Sequence, residues 1–194
     1  MSSILQFPLL RWLPFVKLLN KSSRQNHDSA APAAAPPISF YQLSSQLQNG
    51  QPFPFASLRG KQVLLVNLAP NAAGSPQYQE LQQLAAQFAD ELVVLAFPTD
   101  DFAEPAQAPT ARPNQIGSVT IPLMQPSVVV KTAQQHPVYQ WLSTARQNGW
   151  NEQAPPRPFT KYLVNATGQL AHYFGPTLSP LSETVIDSIR NSVA

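Results

Sequence analysis

KQVLLVNLAPNAAGSPQYQELQQLAAQFADELVVLAFP, residues 61–98, is the stretch whose reading decides the fold. VLLVNLA at 63–69 is a short apolar run of the kind that a strand buried on both faces shows. Ser75-Pro76 then marks a helix start, with serine at the N-cap and proline at the first helical position. Tyr78, Leu81, Leu84, Ala85 and Phe88 follow at helical spacing and predict one buried helix face running to about Ala89. LVVLAF at 92–97 is a second buried-strand run. Strand, helix, strand in that order predicts a βαβ unit with parallel strands and a right-handed connection.

Outward from this unit the signals change. Residues 98–117 are rich in proline, alanine and polar side chains and are expected to wander over the surface, with a short strand at Ser118–Met124. HPVYQWLSTARQ (136–147) places Val138, Trp141, Leu142 and Ala145 on one face of a helix. Phe159–Val164 and Gln169–Phe174 flank Asn165-Ala166-Thr167-Gly168 and predict an antiparallel hairpin. Ser179-Pro180 repeats the helix-start signal, and Leu181, Val185, Ile186 and Ile189 form the buried face of a last helix. The order βαβ, helix, ββα resembles a thioredoxin-like domain. The expected class is therefore α/β, a three-layer sandwich with a central mixed sheet flanked by helices on both faces.

Composition narrows the chemistry. The 194 residues contain no cysteine, which excludes disulfides, zinc-thiolate and iron–sulfur sites, and any reaction needing a thiolate. Net charge is +2, but it is unevenly placed. Arg11, Lys17, Lys21 and Arg24 stand against Asp28 in residues 1–38, a net +3, while the rest of the chain nets −1. No basic run or basic–aromatic stripe follows residue 38, so nucleic acid is not an expected partner.

Three segments are expected: an apolar, basic stretch at 1–21, an Ala/Pro/Ser-rich linker at 22–38, and a folded domain at 39–194. ILQFPLLRWLPFVKLL (4–19) is broken by Pro8, Arg11, Pro14 and Lys17, which argues against a membrane-spanning helix. An interfacial anchor making peripheral membrane contact, a targeting signal and an unstructured tail all stay open for it. The expected location is cytoplasmic, with membrane association as the open addition.

Three stretches carry a family resemblance. VNLAPNAAGSPQYQEL (66–81) is similar to the glutathione peroxidase pattern in which VNVAS leads through glycine and threonine into QY-x-x-L. LAFPTDDFAEP (95–105) resembles that family's FPCNQFGGQEP, and FTKYLVNATGQLAHYFGPTLSPLS (159–182) its WNFTKFLVD segment and following turn. The resemblance covers about Phe40 to Ile189. It implies a thioredoxin-like fold, reduction of hydroperoxides with glutathione or thioredoxin, and a part in the response to oxidative stress.

Carried over residue by residue, the resemblance places the family's peroxidatic cysteine or selenocysteine on Ala72. The glutamine that hydrogen-bonds it falls near Ala103, in a loop about two residues shorter. The tryptophan and asparagine before FTK fall on Arg157 and Pro158, and the second-motif cysteine on Thr99. Ala72, Ala103 and Pro158 lack a side-chain hydrogen-bonding group. Peroxide reduction by this route needs a nucleophile that is oxidised to a sulfenic or selenenic acid, and a methyl group cannot do this.

The expectation is therefore a pseudoenzyme without catalytic residues, acting as a binding, scaffolding or regulatory module. An active peroxidase using a non-thiol route is the alternative. Candidate ligand-binding residues are Ala73, Gly74 and Ser75 at the helix start, Thr99, Asp100 and Asp101 with Glu104 on the loop after the second strand, and Arg157. A solvated loop is the competing reading of the acidic group, and a helix cap that of Ser75. The ligand itself, a protein or a small molecule, is not specified. His27, His136 and His172 show no metal-ligand spacing, so neither metal nor cofactor is expected. Asn165-Ala166-Thr167 matches a glycosylation sequon but reads as turn chemistry.

Overall fold

The computed structural model describes residues 35–103 and 121–192, together with the backbone of Asp28–Ala30. Seven strands are defined there: β1 (Asp28–Ala30), β2 (Ser44–Gln46), β3 (Pro52–Pro54), β4 (Gln62–Leu68), β5 (Leu92–Pro98), β6 (Lys161–Val164) and β7 (Leu170–Phe174). The helices are α1 (Pro76–Gln87), α2 (Pro137–Leu142), α3 (Ala145–Asn148) and α4 (Glu183–Asn191).

The main sheet has the order β1-β7-β6-β4-β5. β4 and β5 run parallel, with Leu68 opposite Pro98, and the other three pairings are antiparallel. The sheet is therefore mixed, as expected, and β2 and β3 form a separate small hairpin. The period of two along the central strands sorts their side chains between two cores. Val63, Leu65, Leu95, Phe97, Tyr162 and Val164 pack with Phe40, Tyr139, Trp141 and Met124 on the α2 side. Leu64, Val66, Leu68, Val94, Ala96 and Leu163 pack with Tyr78, Leu81 and Leu84 of α1 and Val185 and Ile189 of α4 on the other. Helix, sheet and helix give the three layers.

α1 begins where the sequence places it, with Ser75 Oγ accepting the Tyr78 N–H. The 159–174 hairpin also forms. Asn165 Oδ1 accepts the Thr167 and Gln169 N–H groups, so this side chain is the hub of the turn. Gly168 closes the turn at φ +85°, and a Cβ there would lie 2.6 Å from the Tyr41 ring.

Four expectations are corrected. The single helix at 136–147 is two, because Thr144 adopts an extended backbone between α2 and α3. Ser143 Oγ donates to Tyr139 O, while Glu152 Oε1 accepts the Ala145 N–H, so side chains serve the backbone groups that a continuous helix would pair. The last helix begins at Ser182, whose Oγ accepts from Val185 N, and not at Ser179. Ser179 Oγ instead donates to Glu80 of α1 and accepts from Leu181 N, which makes it a turn residue.

Of the strand expected at Ser118–Met124, residues 121–124 form only bridges, Leu123 to Ala96 and Met124 to Leu47. Pro122, without an N–H, cannot donate to a ladder. Finally, Asp28–Ala30, inside the segment read as a linker, pairs with β7 and covers what would be its open edge. The expected surface course of 98–117 lies largely outside the described residues, as do residues 4–19. No helix among the described residues is long and apolar enough to cross a membrane.

Candidate functional site

The parallel pair β4 and β5 ends in register, so the segments that follow, 69–75 and 99–103, leave from one edge of the sheet. β6 enters at the same edge, since Lys161 lies opposite Val66. The topology thus gathers Ala72–Ser75, Thr99–Ala103 and Arg157–Thr160 at the carboxyl ends of the parallel strands, where ligands of open α/β sheets collect.

Asn67, in the last turn of pleat before this edge, fastens two of these segments together. Its Nδ2 donates to Arg157 O at 3.1 Å and its Oδ1 accepts the Thr160 N–H at 3.1 Å. Its backbone N–H reaches Thr160 O and its carbonyl takes the Phe159 N–H at 2.7 Å. Phe159 is held at φ +66°, the one non-glycine residue at positive φ among those described. A fully buried amide with every group engaged in this way fixes where the 157–160 segment sits.

Ala72 opens a short 3-10 turn, Ala72–Gly74, and is 2% exposed within the α1-side core. Its N–H donates to Ala69 O and its carbonyl accepts the Ser75 N–H. Ser75 N and Tyr78 N are engaged within the turn and Pro76 has no N–H, so the helix start is capped by its own serine. Ser75 is a cap, and Ala73 and Gly74 shape the turn before it.

The acidic loop also proves to be structural in part. Thr99 is buried; its N–H continues the ladder to Leu68 O, and its Oγ1 accepts from Asp101 N. Asp101 Oδ2 accepts the N–H groups of Val129 at 2.6 Å and Val130 at 3.1 Å, latching that segment. Asp100 is exposed, and its carbonyl accepts from Ala103 N. Arg157 contributes its carbonyl, which takes bonds from Asn67 and Thr160 Oγ1, while the residue itself is exposed. The ion pairs among the described residues are Lys131–Glu152 and Arg190–Asp187, so Arg157 pairs with neither aspartate. Glu104 lies outside the described residues. No group of three metal-ligating side chains occurs among the described residues.

A buried lysine stands behind the edge. Lys161 is 0% exposed, and Nζ donates to Phe159 O at 2.8 Å, Leu178 O at 2.6 Å and Gln77 Oε1 at 2.9 Å. Gln77 Nε2 in turn donates to Pro176 O. One amine therefore joins β6, the first turn of α1 and the approach to α4. Burial lowers its pKa to about 7, with Glu80 acting in the opposite direction. Sequence reasoning missed both Asn67 and Lys161. The available signal was a polar residue within an otherwise apolar buried run, VLLVNLA, and a lysine at the start of KYLV.

Comparison with known proteins bears on this arrangement. The family model for glutathione peroxidase matches residues 40–143, more than half of the chain. The chain belongs to the glutathione peroxidase family. A glutathione peroxidase-like peroxiredoxin of Chlamydomonas reinhardtii, GPX5, is 36% identical over 159 residues, spanning 74% of this chain and 90% of that protein. HYR1, a glutathione peroxidase-like peroxiredoxin of Saccharomyces cerevisiae, is 32% identical over 158 residues, spanning 78% of this chain and 96% of its own length. The crystal structure of Trgpx in its apo form superposes with a TM-score of 0.62 at 25% identity, covering 79% of this chain and 97% of that one. T. cruzi GPX1 gives the same TM-score at 21% identity and supports the thioredoxin-like fold. As a glutathione peroxidase-family domain, the chain builds this sheet edge without any cysteine.

Proposed function

We propose that this glutathione peroxidase-family domain is catalytically silent and works as a binding or regulatory module in the setting of oxidative-stress chemistry. One observation carries the reading: the position that matches the family's reactive residue is Ala72, and the whole chain has no cysteine to substitute for it. Ala103, Arg157 and Pro158 at the remaining catalytic positions support it. An isolated loss could be rescued by a neighbour, but here the nucleophile and the glutamine, tryptophan and asparagine that the resemblance places with it are all replaced. The apolar, basic 1–21 segment is proposed to carry the domain to its partner or to a membrane surface.

The test is hydroperoxide turnover coupled to glutathione and, separately, to thioredoxin. Turnover indistinguishable from buffer is expected; turnover well above it would establish the rival reading, a peroxidase by a non-thiol route. A second arm restores Ala72→Cys, Ala103→Gln, Arg157→Trp and Pro158→Asn together. Measurable peroxidase activity is expected from this variant. A folded but inert variant would count against placing the reactive position at residue 72.

A further inference from the structure

A cleft of about 380 Å³ opens between β2 and residues 125–127, on the side of the molecule away from Ala72. The Leu47–Met124 bridge and the Gln125 N–H donated to Gln46 O hold the two segments together at one end. Beyond it they diverge. Pro126 has no N–H to offer, and the Ser127 N–H turns away to Pro98 O. His136 forms part of the wall, its ring edge-on to Phe97 at 5.8 Å. Phe97 belongs to the α2-side core, whereas Ala72 belongs to the α1-side core, so the sheet separates the two places.

Two lining residues are prepared for a ligand. Ser45 is 7% exposed, and its hydroxyl makes no hydrogen bond among the described residues. A hydroxyl at the cleft wall that bonds to nothing among the described residues is open to a partner outside the chain. His136 is fixed on three sides: its N–H donates to Val128 O, its carbonyl accepts from Gln140 N, and its Nδ1 accepts the Val138 N–H at 3.2 Å. Nδ1 is therefore unprotonated and the ring proton sits on Nε2, leaving one oriented donor. Burial lowers the His136 pKa and keeps the ring neutral. Among the described residues no Asp, Glu, Lys or Arg lines the cleft, while Pro52 and Pro126 supply apolar walls. A charged ligand would lose hydration with no counter-charge to receive it.

We propose that this cleft binds an uncharged, hydroxyl-rich small molecule of mono- or disaccharide size, with the Ser45 hydroxyl and the His136 Nε2–H as its fixed contacts. Cleft volume falls in the range of small-molecule sites.

The experiment is an amide NMR titration of the full chain with glucose and with maltose, alongside glucose 6-phosphate and glutathione as charged arms. Saturable shifts at residues 44–46, 127 and 136 are expected with the neutral sugars and not with the charged ones. Ser45→Ala is expected to weaken binding about fivefold, the worth of one neutral hydrogen bond. His136→Asn should weaken it similarly while an asparagine keeps the helix cap. Ser45→Ala should also be at least as stable as the parent protein, because its hydroxyl satisfies nothing inside. Absence of saturable shifts, unchanged affinity in Ser45→Ala, tighter binding of either charged arm, or a clear stability loss in Ser45→Ala would each overturn the proposal.

Discussion

Replacing Lys161 by methionine should abolish a specific dependence of stability on pH. In the folded protein the buried amine titrates near 7, against 10.5 for an unperturbed lysine. Between those values the unfolded chain holds a proton that the folded chain does not, so stability rises with pH across the window. Below about pH 7 both states are protonated, and the cost of burying the ammonium is present in full. Each pKa unit corresponds to about 1.4 kcal/mol, so the complete gain approaches about 5 kcal/mol, with a slope near 1.4 kcal/mol per pH unit.

Other titrating groups fall outside the window. His136, whose pKa is lowered by burial, acts below its ordinary value of 6.5, where it too makes stability rise with pH. Tyr41, Tyr78, Tyr139, Tyr162 and Tyr173 all have raised pKa values through burial, and they lower stability only above about pH 10. Urea unfolding followed by tryptophan fluorescence between about pH 7.5 and about pH 9.5 therefore isolates the lysine. Lys161→Met leaves the Gln77, Phe159 and Leu178 oxygens without their donor, which shifts its stability by a constant and does not affect the slope. A flat profile in the parent protein, or equal slopes in parent and variant, would refute the reasoning.

Gly168→Ala should lose about 2–3 kcal/mol by chemical denaturation, since the new methyl meets the Tyr41 ring at 2.6 Å and φ is +85°. Tyr139→Phe should be neutral or stabilising by about 1 kcal/mol, because the buried Tyr139 hydroxyl has no hydrogen-bond partner among the described residues; a loss of similar size would refute this. Asp101→Ala should destabilise by about 2 kcal/mol through loss of the charge-assisted bonds to Val129 and Val130 N–H groups. An unchanged melting temperature would show that the latch contributes nothing.

Where local physics and global fold agree, the sequence was readable. β4 and β5 announce themselves as apolar runs, α1 by its Ser-Pro start and 3.6-residue spacing, and the hairpin by its Asn…Gly turn. Reading failed where a distant side chain outbid the local signal. Ser179-Pro180 looks like a helix start until Glu80 of α1 claims the serine hydroxyl. The 136–147 segment looks continuous until Glu152 caps Ala145 from seven residues on. At the candidate site, sequence located the edge where the segments after β4 and β5 leave the sheet. It could not show that Asp101 and Thr99 are tied into the backbone, because their partners arise only from the folded topology. Asn67 and Lys161 were invisible for the same reason: polarity in a strand says that a partner exists, not which one.

The two sulfur atoms of the chain are both in methionines, and one of them, Met124, is fully enclosed in the α2-side core. With no thiol to form a sulfenic acid, a mixed disulfide or a crosslink, the described surface offers oxidants no cysteine chemistry through which to alter it. Any partner recognising this domain therefore meets a face that the surrounding thiol–disulfide balance leaves unchanged, so a signal about that balance has to enter the complex from the partner's side.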